Sequence, residues 1–184
     1  MPDGVTGLLA GRSVRAVAER TADLVNLLTA ADEPPLEAVA GVLRAHGEAD
    51  PLDLVPADVP AMAGAARRLR TALLADDLAE ASARVNALLA EAAHPPRLTD
   101  HRGTTHWHLH IDARDDAPWA DWLLTSGALA IAQLIADRQR LPGGRCAAPG
   151  CLRVFLASGA APRRYCSSRC ATRTRVAAHR RRKG

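Results

Sequence analysis

Residues 146–170, CAAPGCLRVFLASGAAPRRYCSSRC, hold all four cysteines of the chain. They fall as Cys146-x4-Cys151-x14-Cys166-x3-Cys170, two close pairs separated by a loop, which is how structural zinc modules space their ligands. Four thiolates complete a tetrahedron and leave no position for water, so the expected cofactor is one structural Zn²⁺ and not a catalytic ion. Pro149 and Gly150 allow a tight turn inside the first pair, while Cys166 and Cys170 stand one helical turn apart and flank a helix start. Between the pairs, LRVFLASGAAPRRY predicts a short hairpin with Val154 and Phe155 as a miniature core. Metal binding supplies on the order of 10 kcal/mol to a unit this small, so the segment is expected to unfold without zinc.

Downstream, no Gly or Pro interrupts the chain between Ser167 and Gly184, which predicts one helix. At 100° per residue Cys170, Thr174 and Ala177 share the face toward the metal. Arg169, Arg173 and Arg180 then make one exposed stripe, and Arg175, His179 and Arg182 another. With Arg163 and Arg164 just upstream, these are the candidate nucleic-acid contacts, because guanidinium groups bind phosphate bidentately and read guanine edges in the major groove. DNA is the expected partner. An RNA- or protein-binding zinc module and a merely solubilising basic tail are the alternatives.

Upstream of the finger the charge reverses. From Arg138 to the end there are 13 Lys and Arg residues and no carboxylate, leaving 11 basic against 20 acidic residues before it. A chain polarised in this way attracts polyanions at one end and repels them at the other. The basic stretch lacks the apolar face of an interfacial helix and no apolar run reaches the ~18 residues of a spanning one, so no membrane partner is expected. The first residues, MPDGVTGLLAGRSVRAVAERT, show no secretory pattern. The expected location is cytoplasmic, a reducing compartment where cysteines serve metal or redox chemistry better than disulfides.

Residues 1–141 read as a helical domain. Apolar side chains make up 48% of the whole chain, enough for a core, and aromatics only 3%, which favours helix packing. Ser13 is a candidate cap for a helix carrying Val14, Val17, Ala18, Thr21, Leu24, Val25 and Leu28. Leu36, Val39, Ala40 and Leu43 mark a second helix, residues 61–75 and 77–93 two more, and Trp119 to about Arg140 a fifth that stops at LPGG. That Pro-Gly-Gly predicts the boundary with a finger domain, residues 145–184. The fold class expected is mainly α, with one small β-hairpin in the first domain.

The hairpin comes from TTHWHLHIDA, whose alternation is a strand signal, with RLT as its partner. His106, His108 and His110 project from one face about 6.5–7 Å apart, a usable metal-ligand geometry that His101 could complete, and a metal-dependent enzyme is the reading it opens. A half-exposed strand with Trp107, Leu109 and Ile111 turned inward explains the same alternation without metal. The strand could also line an effector pocket, with Trp107, Trp119 and Trp122 as walls and Asn26 as polar anchor, against plain core packing. No phosphate loop, Ser-centred elbow or HExxH motif is present, and no enzymatic activity is expected.

RCAAPGC, RRYCSSRC and the following R-x-R-VAAHRRR resemble the bacterial CGNR zinc finger. Its signature appears here as Cys170-Ala171-Thr172-Arg173, keeping the fourth ligand and the Arg. ADLVNLL, Ala22 to Leu28, resembles the LVN segment of the ABATE domain that accompanies this finger. The resemblance implies a stress-induced transcription regulator in which the finger binds DNA and the helical domain senses a small-molecule effector or mediates homodimerisation.

Overall fold

The computed structural model describes residues 14–103, 107–157 and 163–183. Among them are six helices and two two-stranded hairpins, so the expected mainly α class holds. The proposed Ser13 cap and His106 lie outside the described residues.

Helix α1, Val14–Leu28, buries Val17, Ala18, Thr21, Leu24, Val25 and Leu28, the stripe its apolar spacing predicts. α2, Leu36–Ala45, follows the Pro34-Pro35 stop and ends in a Schellman motif. There Gly47 takes a φ of 80° while Glu48 N–H reaches Leu43 O at 3.0 Å and Gly47 N–H reaches Arg44 O at 2.8 Å. α3, Asp58–Leu73, and α4, Leu78–Ala92, are split by a turn that Asp77 caps. Asp77 accepts the Glu80 N–H at 2.8 Å and Glu80 accepts the Asp76 N–H at 2.7 Å.

α5, Trp119–Arg138, packs against α1, α3 and α4 and is the centre of the bundle. Its 20 residues are long and apolar enough to cross a membrane by length and composition, although the run is interrupted by Asp121 and Asp137. The apolarity serves the core instead: Leu123, Ala128, Ala130 and Ile131 are almost wholly buried against the neighbouring helices. Gly127 permits the closest approach, since a Cβ there would stand 2.9 Å from Thr21 Cγ2 and 3.0 Å from Leu69 Cδ1.

Two hairpins interrupt the helices. β1, Arg97–Thr99, pairs antiparallel with β2, His108–His110, setting Arg97 opposite His110 and Thr99 opposite His108. β3, Gly143–Arg145, pairs antiparallel with β4, Val154–Leu156. The second pairing corrects the expected finger hairpin. β4 joins the Gly-Gly segment before the first cysteine pair, while residues 163–165 form no strand and 158–162 lie outside the described residues.

The miniature core is corrected with it. Val154 and Leu156 enter the main hydrophobic core beside α1 and α3, at 1% and 3% exposure. The reason is visible at β4's outer edge, where Asn26 of α1 takes the place of a third strand. Its side-chain oxygen accepts the Val154 N–H at 2.8 Å and its NH₂ donates to Val154 O at 3.0 Å. LPGG is therefore no slack linker. Gly143 lies so close to β4 that a Cβ would sit 2.3 Å from Phe155 O.

Candidate metal centre and basic helix

The first cysteine pair is shaped by a knuckle in which Gly150 adopts φ 71° and Cys151 N–H bonds Ala148 O at 3.0 Å. Ala147 N–H reaches Arg164 O at 2.8 Å, which ties this knuckle to the strand of chain leading into the second pair. There the last helix, α6, Ser168–Lys183, begins. Ser167 is its N-cap, accepting the Cys170 N–H at 3.2 Å, so Cys166 immediately precedes the cap and Cys170 occupies the first turn.

The four sulfurs converge to within 4.8 Å of one another. Three of the edges measure 3.8 Å (Cys151 to Cys166), 3.6 Å (Cys166 to Cys170) and 3.9 Å (Cys170 to Cys151). A tetrahedron with zinc–sulfur bonds of about 2.3 Å has edges of roughly 3.8 Å, so the donor set has the size and chemistry of one structural zinc ion. Burial opposes ionisation of Cys146, yet the N–H groups of Cys166, 3.3 Å from its sulfur, and of Ala148 outweigh it and bring the thiol down to about 7. Cys166, desolvated and ringed by the other sulfurs, is pushed up to about 12. Protein groups alone thus favour the thiolate at Cys146 and oppose it at Cys166, an opposition that a divalent cation relieves.

All the arginines of α6 are exposed, while Cys170, Ala171, Thr174, Ala177 and Ala178 form its half-buried side, as the helical spacing predicted. The expected contact residues are not equivalent, however. Arg163 donates to Tyr165 O at 2.8 Å and to Cys166 O, and its guanidinium lies over the Phe155 ring, so it braces the turn into the second pair. Arg173 donates to Pro149 O at 3.3 Å and stands 4.0 Å from Cys170 Sγ, against the centre itself. Arg164, Arg169, Arg175, His179, Arg180 and Arg182 remain on exposed positions.

The proposed effector pocket is not brought together. Trp107 is 67% exposed at the hairpin, and Trp119 and Trp122 meet edge to face at 5.1 Å on α5. Trp122 also lies under the guanidinium of buried Arg20 at 4.0 Å, and Asn26 serves β4. A polar residue in an apolar helix signals a buried partner, and only the fold shows that this partner is a backbone rather than a ligand.

The inward expectation for Trp107, Leu109 and Ile111 holds at Ile111, which is buried, and fails at Trp107. Leu98 is 68% exposed alongside Trp107, while His110, Thr99 and Asp112 occupy the inward half. His101, from the β1–β2 loop, joins His108 and His110, and the three offer nitrogens within 4.8 Å of one another. Two carboxylates absent from the sequence reading support them. Asp112 lies 2.8 Å from His110 Nδ1, and Asp115 lies 3.9 Å from His101 Nδ1. The acidic run DARDD directly after HLHI was the available signal.

None of the curated proteins is detectably similar in sequence to the chain. Residues 143–183 match the family model of the CGNR zinc finger, a segment that opens on the first residue of β3 and closes on the last residue of α6. The four-cysteine centre is therefore that of a CGNR zinc finger, carried by a mainly helical chain.

Proposed function

We propose that this protein is a DNA-binding transcription regulator of the ABATE type, in which the zinc finger presents α6 to the major groove and residues 1–141 respond to a small-molecule effector or mediate homodimerisation. The observation that carries the reading is α6 itself: 16 residues without a carboxylate, anchored at its first turn by Cys170, with Arg169, Arg175, Arg180 and Arg182 exposed along it. At 1.5 Å per residue the helix is about 24 Å long, enough to follow the groove over several base pairs. The acidic excess upstream of Arg138 opposes nonspecific clamping along the rest of the chain and favours engagement through the finger. The LVN segment that suggested the ABATE resemblance supports the architecture, since its Asn26 holds the finger's β4. No catalytic step belongs to this reading, and a cytoplasmic location accords with four cysteines gathered as metal ligands.

Fluorescence anisotropy of the zinc-loaded full chain on duplex DNA tests it. If the exposed basic residues neutralise about six phosphates, log K falls against log salt with a slope of roughly −5. Absence of salt-dependent binding to every duplex in a genomic-fragment selection refutes the proposal. Preferential capture of structured RNA over duplex DNA moves the finger to RNA.

A further inference from the structure

The geometry points to a second metal site in the helical part of the chain: we propose that His101, His108 and His110 bind a divalent transition-metal cation of the imidazole-preferring class, such as Zn²⁺, through their Nε2 atoms. The inference is independent of DNA binding and of the four-cysteine centre.

One hairpin brings the ligands together. His108 and His110 alternate onto the same face of β2, and the β1–β2 loop folds His101 back over them. His108 Nε2 lies 3.1 Å from His101 Nε2 and 2.9 Å from His110 Nε2. With metal–nitrogen bonds of about 2.0–2.1 Å, edges of that length subtend roughly 90–100° at a common ion.

Hydrogen bonding among the rings cannot account for both contacts. An imidazole nitrogen has one in-plane position, filled by either a proton or a lone pair, so His108 Nε2 can satisfy only one of its two close neighbours. Asp112 sharpens the conflict. Its carboxylate is 4% exposed, is paired with Arg97 at 2.7 Å and meets His110 Nδ1 at 2.8 and 2.9 Å, so that nitrogen carries the proton. Whatever His110 carries on Nε2, the single in-plane position of His108 Nε2 is left facing two ring nitrogens. A cation at the focus satisfies all three nitrogens together.

The surroundings are those of a built ligand set. A metal-bound histidine characteristically donates its other ring N–H to a carboxylate, as His110 does to Asp112, and this fixes tautomer and ring direction. Asp115 stands 3.9 Å from His101 Nδ1 and is held by the Thr99 hydroxyl at 2.9 Å. The same hydroxyl accepts the His101 N–H at 3.1 Å. His101 and Arg102 adopt φ of 49° and 60°, ahead of Gly103 at 83°. Left-handed backbone costs a non-glycine residue on the order of 1 kcal/mol, and here it aims the His101 ring at the other two.

Metal stoichiometry of the folded full chain decides the matter. The wild-type protein, loaded with Zn²⁺ and dialysed, is expected to hold two equivalents, and His108→Ala one. Loading with Co²⁺ identifies each equivalent: the thiolate centre gives intense near-ultraviolet charge transfer, and the second ion adds weak visible bands without it. Asp112→Asn should weaken the second equivalent by about 10- to 100-fold and leave the first unchanged. Histidine ¹⁵N shifts of the wild-type chain supply a readout that needs no substitution, since the second equivalent should move the Nε2 signals of these three residues together. One equivalent only, confined to the cysteines, overturns the proposal. So does a second equivalent that survives in a folded His101→Ala/His108→Ala variant.

Discussion

Replacing Asn26 by Ala tests whether the finger is built into the helical core or merely follows it. The side chain makes two hydrogen bonds, 2.8 and 3.0 Å, to the N–H and C=O of Val154, a residue 1% exposed. Alanine removes both partners and adds none, and at that depth water reaches neither backbone group readily. Each abandoned group costs about 1–2 kcal/mol, so the variant should lose about 2–4 kcal/mol. For a chain of this size that is a fall of roughly 5–15 °C in Tm. Denaturant titration at saturating zinc, followed by far-ultraviolet circular dichroism, measures the loss. Zinc transfer to a chromophoric chelator supplies the second arm, because loosening β4 should speed escape of the ion. A change below about 0.5 kcal/mol together with an unaltered transfer rate would show that β4 is not held through Asn26.

Gly143→Ala should destabilise the finger by about 1–3 kcal/mol or more, because the new Cβ meets the Phe155 carbonyl oxygen at 2.3 Å. Gly144→Ala meets only the Phe155 ring at 3.4 Å and should fall well below that in the same denaturation assay. Chelating zinc should melt α6 and expose all four thiols to alkylation while the helices of residues 14–138 persist, a pattern hydrogen exchange resolves segment by segment. Acid should also be felt at Arg97. Burial raises the Asp112 and Asp115 carboxyls, but hydrogen bonds from His110 and Arg97 to the first, and from Arg97 and Thr99 to the second, hold both below their ordinary range. Groups depressed in this way stabilise the fold above their unfolded pKa near 4 and lose that contribution as pH falls through the lowered values. Arg97→Met should therefore flatten the stability curve as pH falls below about 4. Arg173→Ala should both quicken zinc loss and weaken DNA binding, whereas Arg180→Ala should weaken binding and reduce the salt slope by about 1 with zinc loss unchanged.

The helices were legible because their apolar residues recur at helical spacing and their ends carry local signals, such as Asp77 with Glu80 before α4 and Gly47 after α2. The zinc centre was legible for a similar reason, its two cysteine pairs being local. What escaped were choices between equivalent local options. Val154, Phe155 and Leu156 are apolar on both faces, so nothing local says whether β4 pairs with the segment before it or after it. Alternation in HWHLHI separates two faces without saying which is inward. The decision falls to Thr99, Asp112, Asp115 and Arg97, which make a polar interior where the histidines can lie and leave Trp107 and Leu98 outside. Asn26 was conspicuous as a polar residue in an apolar stripe, yet its partner lies 128 positions away.

That distant partner bears on how a finger of 41 residues can be ordered at all. Zinc fixes only the knuckle at Cys146 and Cys151 and the helix start at Cys166 and Cys170. Left to itself, β3–β4 would be a two-stranded ribbon, and such a ribbon is marginal in water. Here the hairpin shares the helical core through Val154 and Leu156 and borrows an edge partner from α1. The ion then has to organise only the far side of the module, where α6 emerges. Four thiolates on Zn²⁺ carry a formal charge of −2, which Arg173 and the Cys166 N–H face directly. On the proposed DNA-binding reading, the arginines farther along α6 are then left for phosphate, and the docking of β4 against α1 gives the helix a base in the core.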